Sequence, residues 1–269
     1  MRAGICFLAL VALMGRLSQG EEGGTLLLCG GGTLPSELMQ TFHSLAGGEK
    51  GCLVLIPTAS PRSDQGDYTP WLPRWQAYPW RELHTVHLRD REDAEYSREI
   101  DLLRSATAVW LAGGDQSRLS ERMAGTRFER ELKAFLDRGG VLGGTSAGAA
   151  ICSKVMIRDG KREPVIGTGF SILNDVIIDQ HFLAKNREER LSRATLQHPE
   201  LAGLGIDERT GMLFRQGVLE VIGEGYVHWY RAGDLQAEVE HRADARWGAG
   251  ERVDWSRVIS GGASAPTSP

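Results

Sequence analysis

The chain repeats one pattern: a short, continuous apolar run, a turn rich in Gly or Pro, and then a segment of helical length. The first run spans 25–29, ends in the glycines at 30–32, and precedes apolar residues at helical spacing. Further runs follow at 52–56, 83–88, 108–111 and 141–142. Because these runs are continuous rather than alternating, they predict strands buried on both faces. We therefore predict an α/β fold, with a mostly parallel sheet between two layers of helices.

Beyond Cys152 the pattern changes to shorter segments typical of β-strands, at 176–178, 203–206, 211–214, 218–222 and 226–230. These segments predict C-terminal strands that extend the sheet in antiparallel fashion. From Ala237 the apolar periodicity fades, and 260–269 is rich in Gly, Ala, Ser and Pro. We expect a single domain over 21–250 and a largely disordered tail over 251–269.

Residues 1–20 resemble a secretory signal. They begin with Arg2, run apolar from Ile5 to Met14, and end in Ser18-Gln19-Gly20, with small residues where signal peptidase cuts. The apolar run is about half the roughly 20 residues that a membrane-spanning helix needs. We expect a cleaved signal, no membrane span and an extracytoplasmic location. A misassigned start on a cytoplasmic protein is the alternative, because a single Arg is weak support for a signal.

Composition excludes several classes of protein. The 269 residues carry 31 basic and 35 acidic side chains, a formal charge of −4, without a long basic run. Nucleic acid is therefore not expected as a partner. The four cysteines form no C-x-x-C pair, which argues against a disulfide scaffold or a zinc ribbon.

Residues 141–150 read V-L-G-G-T-S-A-G-A-A and place G-x-S-x-G between an apolar strand and an Ala-rich helix start. This pattern is typical of a nucleophile elbow, which holds a serine on a sharp, strained turn. Gly144 and Gly148 would remove side chains that clash there, and the N–H of Ala147 could stabilise an oxyanion. Ser146 is thus the candidate nucleophile. Tight packing of strand on helix is the alternative interpretation.

A second glycine turn, Gly113-Gly114-Asp115, ends the preceding predicted strand. Ligand sites in parallel sheets lie beyond the carboxyl ends of the strands, so this turn is expected beside Ser146. A glycine N–H there could supply a second oxyanion donor, and Gln116 a polar contact to substrate. The same sequence is also typical of an ordinary turn.

A serine nucleophile needs a base and a group that orients the base. Of the seven histidines, His181 stands out because it follows an apolar run at a predicted strand end. Asp207 and Glu208 end another such run, and alternation along the strand lets only one of them face the site. A buried structural histidine and a surface acid are the alternatives.

The helix predicted after His181 carries Arg187 and Arg190 on the same face as Leu191 and Ala194. Two guanidinium groups on an apolar face could bind a substrate carboxylate through paired hydrogen bonds. Solvated arginines paired with nearby acids are the alternative.

Four segments, in this order and spacing, resemble the cyanophycinase family of serine peptidases. They are G-G-D-Q at 113–116, G-G-T-S-A-G-A at 143–149, D-Q-H-F at 179–182 with its basic helix, and G-I-D-E at 205–208. The resemblance implies a flavodoxin-like fold akin to the class I glutamine amidotransferases, with Ser in place of their Cys. It implies Ser146 as nucleophile, His181 as base and Glu208 as its orienting acid, with oxyanion N–H groups from Gly114 and Ala147.

The same resemblance implies a serine exopeptidase that works through an acyl-enzyme. The family cleaves cyanophycin, a polyaspartate with arginine on each side-chain carboxyl, to β-aspartyl-arginine dipeptides. The implied substrate pocket comprises Gln116, Asp179, Gln180, Lys185, Arg187 and Arg190. Lys185 stands where the family has an Arg, and a lysine cannot make the planar two-point contact of a guanidinium. The expected substrate is therefore cyanophycin or another β-aspartyl or acidic peptide.

No metal or organic cofactor is expected, and the resemblance implies a homodimer. Two other functions stay open. An α-aspartyl dipeptidase-like serine peptidase would share the elbow and prefer short peptides with an N-terminal Asp. A catalytically silent, secreted peptide-binding protein would keep the pocket and fail to react with a serine-directed fluorophosphonate.

Overall fold

The apolar runs of the amino-terminal half form the parallel part of an eight-stranded sheet. In the computed structural model, which describes residues 23–231 and 243–261, strands β1 to β5 lie parallel in the order β1-β5-β4-β2-β3. Their bounds are β1 Thr25–Cys29, β2 Cys52–Ile56, β3 Glu82–Thr85, β4 Ala108–Leu111 and β5 Val141–Thr145. The predicted signal at 1–20 lies outside the described residues.

Helices cover both faces of this sheet, as the continuous apolar runs predict. Along β1, Leu26 and Leu28 join one hydrophobic cluster, whereas Leu27 and Cys29 join another on the opposite face. The helices of this half are α1 Ser36–Leu45, α2 Leu72–Gln76, α3 Arg91–Tyr96, α4 Leu102–Ser105, α5 Gln116–Met123, α6 Arg127–Asp137 and α7 Ala147–Ala150. In the part of the chain that the structure describes, every helix is too short or too polar to cross a bilayer.

Three later strands extend the sheet beyond β1 in antiparallel fashion. They are β10 Thr210–Arg215, β11 Val218–Gly223 and β14 Arg252–Asp254. Strand β10 pairs directly with β1, β11 with β10, and β14 with β11 at the edge. This arrangement confirms the predicted fold class, a mostly parallel sheet extended by C-terminal strands.

The other C-terminal strands depart from that expectation, because they form a second sheet. Its strands are β8 Val176–Gln180, β9 Ala202–Ile206, β12 Tyr226–Tyr230 and β13 Ala245–Gly248, in the order β13-β12-β9-β8. Helix α8, Glu188–Gln197, connects β8 to β9, and such a crossover makes the two strands parallel. A separate hairpin comprises β6 Val155–Asp159 and β7 Val165–Thr168.

The expectation of a tail from residue 251 is wrong for residues 251–261. After β14, helix α9, Trp255–Ile259, buries Trp255 and Val258. The Trp255 ring lies 4.9 Å from that of Phe214, and its backbone N–H donates to the Gly217 carbonyl at 2.8 Å. A three-residue strand and a five-residue helix are too short for periodicity to reveal. Residues 262–269 lie outside the described part of the chain.

Candidate active site

Ser146 occupies the turn between β5 and α7, with backbone angles of φ 53° and ψ −113°. Its N–H donates to the Cys29 carbonyl at 2.9 Å, which ties the turn to β1. A Cβ on Gly144 would lie 2.3 Å from the Gly148 carbonyl oxygen, and one on Gly148 would lie 2.1 Å from the Leu111 oxygen. The glycines of G-x-S-x-G are therefore required by close backbone approach, and they hold Ser146 in a strained conformation.

His181 follows β8 of the second sheet and also has a positive φ, 51°. Its N–H donates to the Gly30 carbonyl at 2.8 Å, so the glycine turn after β1 holds it beside the first sheet. A Cβ on Gly31 would lie 2.4 Å from the His181 ring, which explains why a glycine stands there. The ring lies with Nε2 2.9 Å from Ser146 Oγ.

Glu208 completes a hydrogen-bonded row, because its Oε1 lies 2.6 Å from His181 Nδ1. Asp207 points elsewhere. Its Oδ2 lies 3.1 Å from His228 Nε2 and accepts from the Tyr226 N–H, while Oδ1 accepts from the Leu183 N–H. The alternation of side chains along the strand left either Asp207 or Glu208 as the acid that orients the histidine. The structure places Glu208 in hydrogen-bond contact with His181.

The surroundings of His181 favour its neutral form. Burial lowers the pKa of the imidazole most, and the charges of Lys185 and Arg187 lower it further, against the opposing effect of Glu208. With Nδ1–H donating to Glu208, Nε2 is left as an acceptor for the Ser146 hydroxyl. A neutral imidazole in this tautomer is the form that can take a proton from serine.

The two predicted oxyanion donors stand next to this row. Ala147 begins α7, and Gly114 follows β4 with φ 151° and would clash with the Ala59 carbonyl if it carried a Cβ. Among the described residues, neither N–H donates to a protein acceptor. Both are thus free to bind a developing negative charge.

Three predicted substrate contacts are engaged within the protein. The Gln116 amide nitrogen donates to the Ile157 and Arg158 carbonyls at 3.1 and 2.8 Å, anchoring the β6–β7 hairpin. Arg190 is 3% exposed and forms a two-point ion pair with the buried Asp179. Asp179 and Arg190 therefore support the site, since their charged groups already have partners, and the Gln116 amide nitrogen is likewise engaged.

Three other predicted residues remain at the site. The Gln180 side-chain oxygen lies 3.3 Å from Ser146 Oγ, a longer contact than that of His181. Arg187 uses Nη1 to reach Asp179 and the Gln180 carbonyl, and no protein partner for its Nε or Nη2 is found among the described residues. Lys185 is exposed and close enough for its charge to act on His181. Lys185 and Arg187 form what we call the basic rim.

A cavity of about 320 Å³ opens beside Ser146. Sequence reasoning placed Ser146, His181 and Gly114 there, and missed most of the remaining wall. The lining is Gly31, Gly32, Leu34, Met39, Pro70, Trp71, Arg74, Trp75, Trp110, Gly113, Gly114, Thr145, Ser146 and His181. The many aromatic residues of 71–80 were the only sign of this wall in the sequence. Their position beside Ser146 could not be predicted, because the segment belongs to a long connection between β2 and β3.

Among the described residues, one cluster offers ligands that could share a metal ion: Cys52, Glu82 and His84, with ligand atoms within 4.8 Å of one another. Cys52 and Glu82 are the first residues of β2 and β3, whereas Ser146 follows the last residue of β5. The cluster therefore lies at the opposite ends of the parallel strands from Ser146. The cluster takes no part in the Ser146 site.

A mostly parallel α/β sheet with a strained serine on a strand-to-helix turn, hydrogen-bonded to a His–Glu pair, defines a protein of the nucleophile-elbow class. Comparison with known sequences is consistent with that class and narrows it. The chain belongs to peptidase family S51, whose sequence profile matches residues 26–222. This confirms the resemblance inferred from the four motifs.

Among curated relatives, the cyanophycinases of Synechococcus elongatus and Thermosynechococcus vestitus are each 36% identical over 200 residues, covering 71% of this chain. The matched segment spans 62% of the length of both relatives. The cyanophycinase of Geminocystis herdmanii is 37% identical over 205 residues, covering 71% of this chain and 73% of its own.

Solved structures show the same fold. A peptidase from an acI-B1 Actinobacterium superposes with a TM-score of 0.70 at 24% identity, covering 88% of this chain and 98% of its own. A putative peptidase E protein from Listeria monocytogenes gives a TM-score of 0.55 at 15% identity, covering 76% of this chain and 100% of its own.

Proposed function

We propose that this protein is a serine peptidase with Ser146 as nucleophile, His181 as general base and Glu208 as the residue that orients the base. The observation that carries the proposal is the hydrogen-bonded row Ser146–His181–Glu208, with spacings of 2.9 and 2.6 Å, at the edge of a cavity. Both distances suit direct proton transfer and orientation without rearrangement.

In the first half-reaction, His181 Nε2 takes the hydroxyl proton while Ser146 Oγ attacks the peptide carbonyl carbon. The resulting oxyanion is bound by the N–H groups of Gly114 and Ala147. The imidazolium then gives its proton to the departing amine nitrogen, the C–N bond breaks, and an acyl-enzyme remains. In the second half, water attacks the ester, giving a proton to His181. Collapse returns that proton to Ser146 Oγ and releases the acid product.

The basic rim supports an acidic substrate. Lys185 and the free edge of Arg187 lie next to the histidine, where they could bind a carboxylate close to the scissile bond. The curated relatives are named cyanophycinases. We therefore propose cyanophycin or a related β-aspartyl peptide as the substrate. Exopeptidase cleavage of this substrate would release β-aspartyl-arginine or the equivalent dipeptide.

Mass spectrometry of products from cyanophycin, from β-aspartyl peptides and from Asp-initiated dipeptides tests the proposal. Purified protein should release β-aspartyl-arginine, and Ser146→Ala should abolish release while the circular-dichroism spectrum is unchanged. Ser171→Ala is a matched control, since Ser171 also has a positive φ, 51°, and lies outside the cavity lining.

Each outcome decides between specific functions. Cleavage of Asp-initiated dipeptides alone would identify an α-aspartyl dipeptidase instead. Full activity in Ser146→Ala would exclude the mechanism. Peptide binding without cleavage, together with failure of a fluorophosphonate to label Ser146, would identify a silent binding protein.

A further inference from the structure

The turn that carries Gly114 rests on a buried segment that takes no part in the proposed chemistry. This segment, 58–60, follows β2, and Ala59 is fully buried within it. The Asp115 N–H donates to the Ala59 carbonyl at 2.9 Å. A Cβ on Gly114 would lie 2.4 Å from the same carbonyl oxygen and 2.9 Å from the Ser60 nitrogen. The position of Ala59 therefore limits where the Gly114 turn can lie.

Arg118, the third residue of α5, holds the backbone on both sides of Ala59. Its Nε donates to the Thr58 carbonyl at 3.2 Å, and its Nη2 donates to the Ser60 carbonyl at 3.4 Å. Thr58 is fully buried, and in the described part of the chain Arg118 is the sole protein donor to its carbonyl. Since α5 begins directly after Asp115, the guanidinium ties segment 58–60 to the helix that continues from the glycine turn.

A charged cluster fixes the Arg118 guanidinium in this place. Arg118 Nη2 also donates to Asp64 Oδ2 at 2.7 Å, and Asp64 Oδ1 accepts from Arg122 Nη1 at 3.0 Å. The hydrogen bond from Arg122 does most to lower the pKa of Asp64, so this carboxylate stays charged at neutral pH. Both arginine side chains are 19% exposed, but among the described residues only Arg118 contacts the backbone of segment 58–60.

The direction of the Gly114 N–H matters because an oxyanion donor acts only where it points at the developing negative charge. The Ala147 N–H is set by the elbow and by the start of α7. Gly114 has φ 151°, and a glycine can adopt many other backbone angles at little cost. The orientation of its N–H therefore depends on what packs against its turn, which is Ala59 and, through Ala59, Arg118.

We propose that Arg118 is a positioning residue for the oxyanion site. By holding the Thr58 and Ser60 carbonyls, it keeps Ala59 against the turn and the Gly114 N–H directed toward the space beside Ser146. This inference rests on the proposed function, in which the Gly114 N–H binds the oxyanion. Arg118 is not among the residues that line the cavity, so it acts through the turn and does not touch substrate.

The rate at which a fluorophosphonate labels Ser146 tests this role, because the reaction uses the same oxyanion donors and needs no peptide. Arg118→Met should slow labelling by about 10- to 100-fold, less than the roughly 10²–10³ that follows outright loss of an oxyanion donor. Arg122→Met also removes a partner of Asp64 and should label at the wild-type rate. Thermal unfolding checks that both variants are folded. Wild-type labelling of Arg118→Met, or equal slowing in the two variants, would overturn the proposal.

Arg118→Lys separates position from charge, and it carries the test if Arg118→Met does not fold. An ammonium keeps the opposite charge beside Asp64, but it cannot span two carbonyls as a planar guanidinium does. Labelling of Arg118→Lys should therefore stay well below the wild-type rate. Full recovery of the rate would show that the charge alone matters, and the positioning role would be wrong.

Steady-state kinetics on cyanophycin give a second readout. In Arg118→Met, kcat should fall with KM nearly unchanged, because the interaction is made in the transition state. A raised KM at unchanged kcat would contradict the assignment.

The proposed function and this inference fail in different ways. If the fluorophosphonate does not label wild-type Ser146, the proposed mechanism fails and the role of Arg118 fails with it. If the wild type is labelled and cleaves peptides, and Arg118→Met matches it in both assays, only the role of Arg118 fails.

Discussion

Lys185 is the residue at which this chain departs from the pattern of the family it resembles, and its position gives that departure an electrostatic consequence. The ammonium lowers the pKa of His181, as do burial and Arg187. Burial and the same arginine also lower the pKa of Lys185 itself. The identity of residue 185 therefore affects the pKa of the proposed base, in addition to the contact with substrate that we propose for Lys185.

Removing that charge should move the pH profile in a defined direction. In Lys185→Met the imidazolium is less disfavoured, so the pKa of His181 rises and the acidic limb of kcat/KM moves to higher pH. Lys50→Met removes an exposed lysine before β2, at the amino-terminal ends of the parallel strands and so away from His181. This variant should not move the acidic limb of kcat/KM. The comparison requires kcat/KM from pH 4 to 9 for all three proteins. A shift to lower pH in Lys185→Met would contradict this account.

Ser146 stores backbone strain, and this predicts an unusual stability order. Glycine adopts φ 53° without a Cβ penalty, so Ser146→Gly should be more stable than Ser146→Ala by about 1–2 kcal/mol. At Gln40, exposed in the middle of α1, glycine should instead be about 1 kcal/mol less stable than alanine. Urea unfolding measures both pairs. The same order at both positions would show that the elbow is unstrained.

At the level of elements, Asp179, Arg187 and Arg190 fasten strand β8 to helix α8. The Asp179 carboxylate is 1% exposed and accepts hydrogen bonds from both arginines, while Arg190 Nη1 also reaches the Gly160 carbonyl between β6 and β7 at 2.7 Å. These contacts place Gln180 and His181 at the end of β8. The buried ion pair thus positions Gln180 and His181 without itself facing the cavity.

Arg190→Met should therefore act on folding. It leaves a buried carboxylate short of its main partner, which costs about 3–5 kcal/mol. Arg162→Met removes an 81% exposed arginine paired with Glu189 and should cost less than about 1 kcal/mol. Chemical denaturation gives both values. A stable Arg190→Met protein with only a raised KM would restore the role in substrate binding that the motif implies.

At the scale of the whole molecule, the last described residues supply β14, the outermost strand on one side of the main sheet. Strand β14 pairs with β11, and Val253, Trp255 and Val258 enter the larger hydrophobic cluster. The Trp229 indole also donates to the Val258 carbonyl at 3.2 Å, which links this segment to the second sheet. The segment is a structural part of the domain.

A chain ending at residue 250 should consequently be insoluble or lose at least about 3–5 kcal/mol of stability, the cost of emptying one large core position. A chain ending at residue 261 keeps every described element and serves as the control. Trp255→Ala covers the case in which the shorter chain cannot be purified, and thermal unfolding is the measurement. Equal melting temperatures for the two truncated chains would return residues 251–261 to the predicted tail.

The strand pattern and the glycine-flanked serine could be predicted because both are local. Strands buried on both faces must be continuously apolar, and a sharp turn with close backbone approach requires glycine at fixed positions. His181 and Glu208 were predictable as residues at strand ends. The division of the C-terminal strands between two sheets could not be predicted from the sequence, because strand order depends on contacts between residues far apart in the chain.

The sequence by itself determined the α/β class, the elbow at Ser146 and the short set of polar residues that accompany it, since periodicity and spacing express local backbone geometry. Only the tertiary structure decided which polar side chains face a ligand. Glu208 and Asp207 differ by one position, and Arg187 and Arg190 share a helical face, yet each pair divides between the site and its support. The reason is physical: a polar atom of a side chain is available to substrate only if the fold has not already placed a partner within hydrogen-bond distance of that atom.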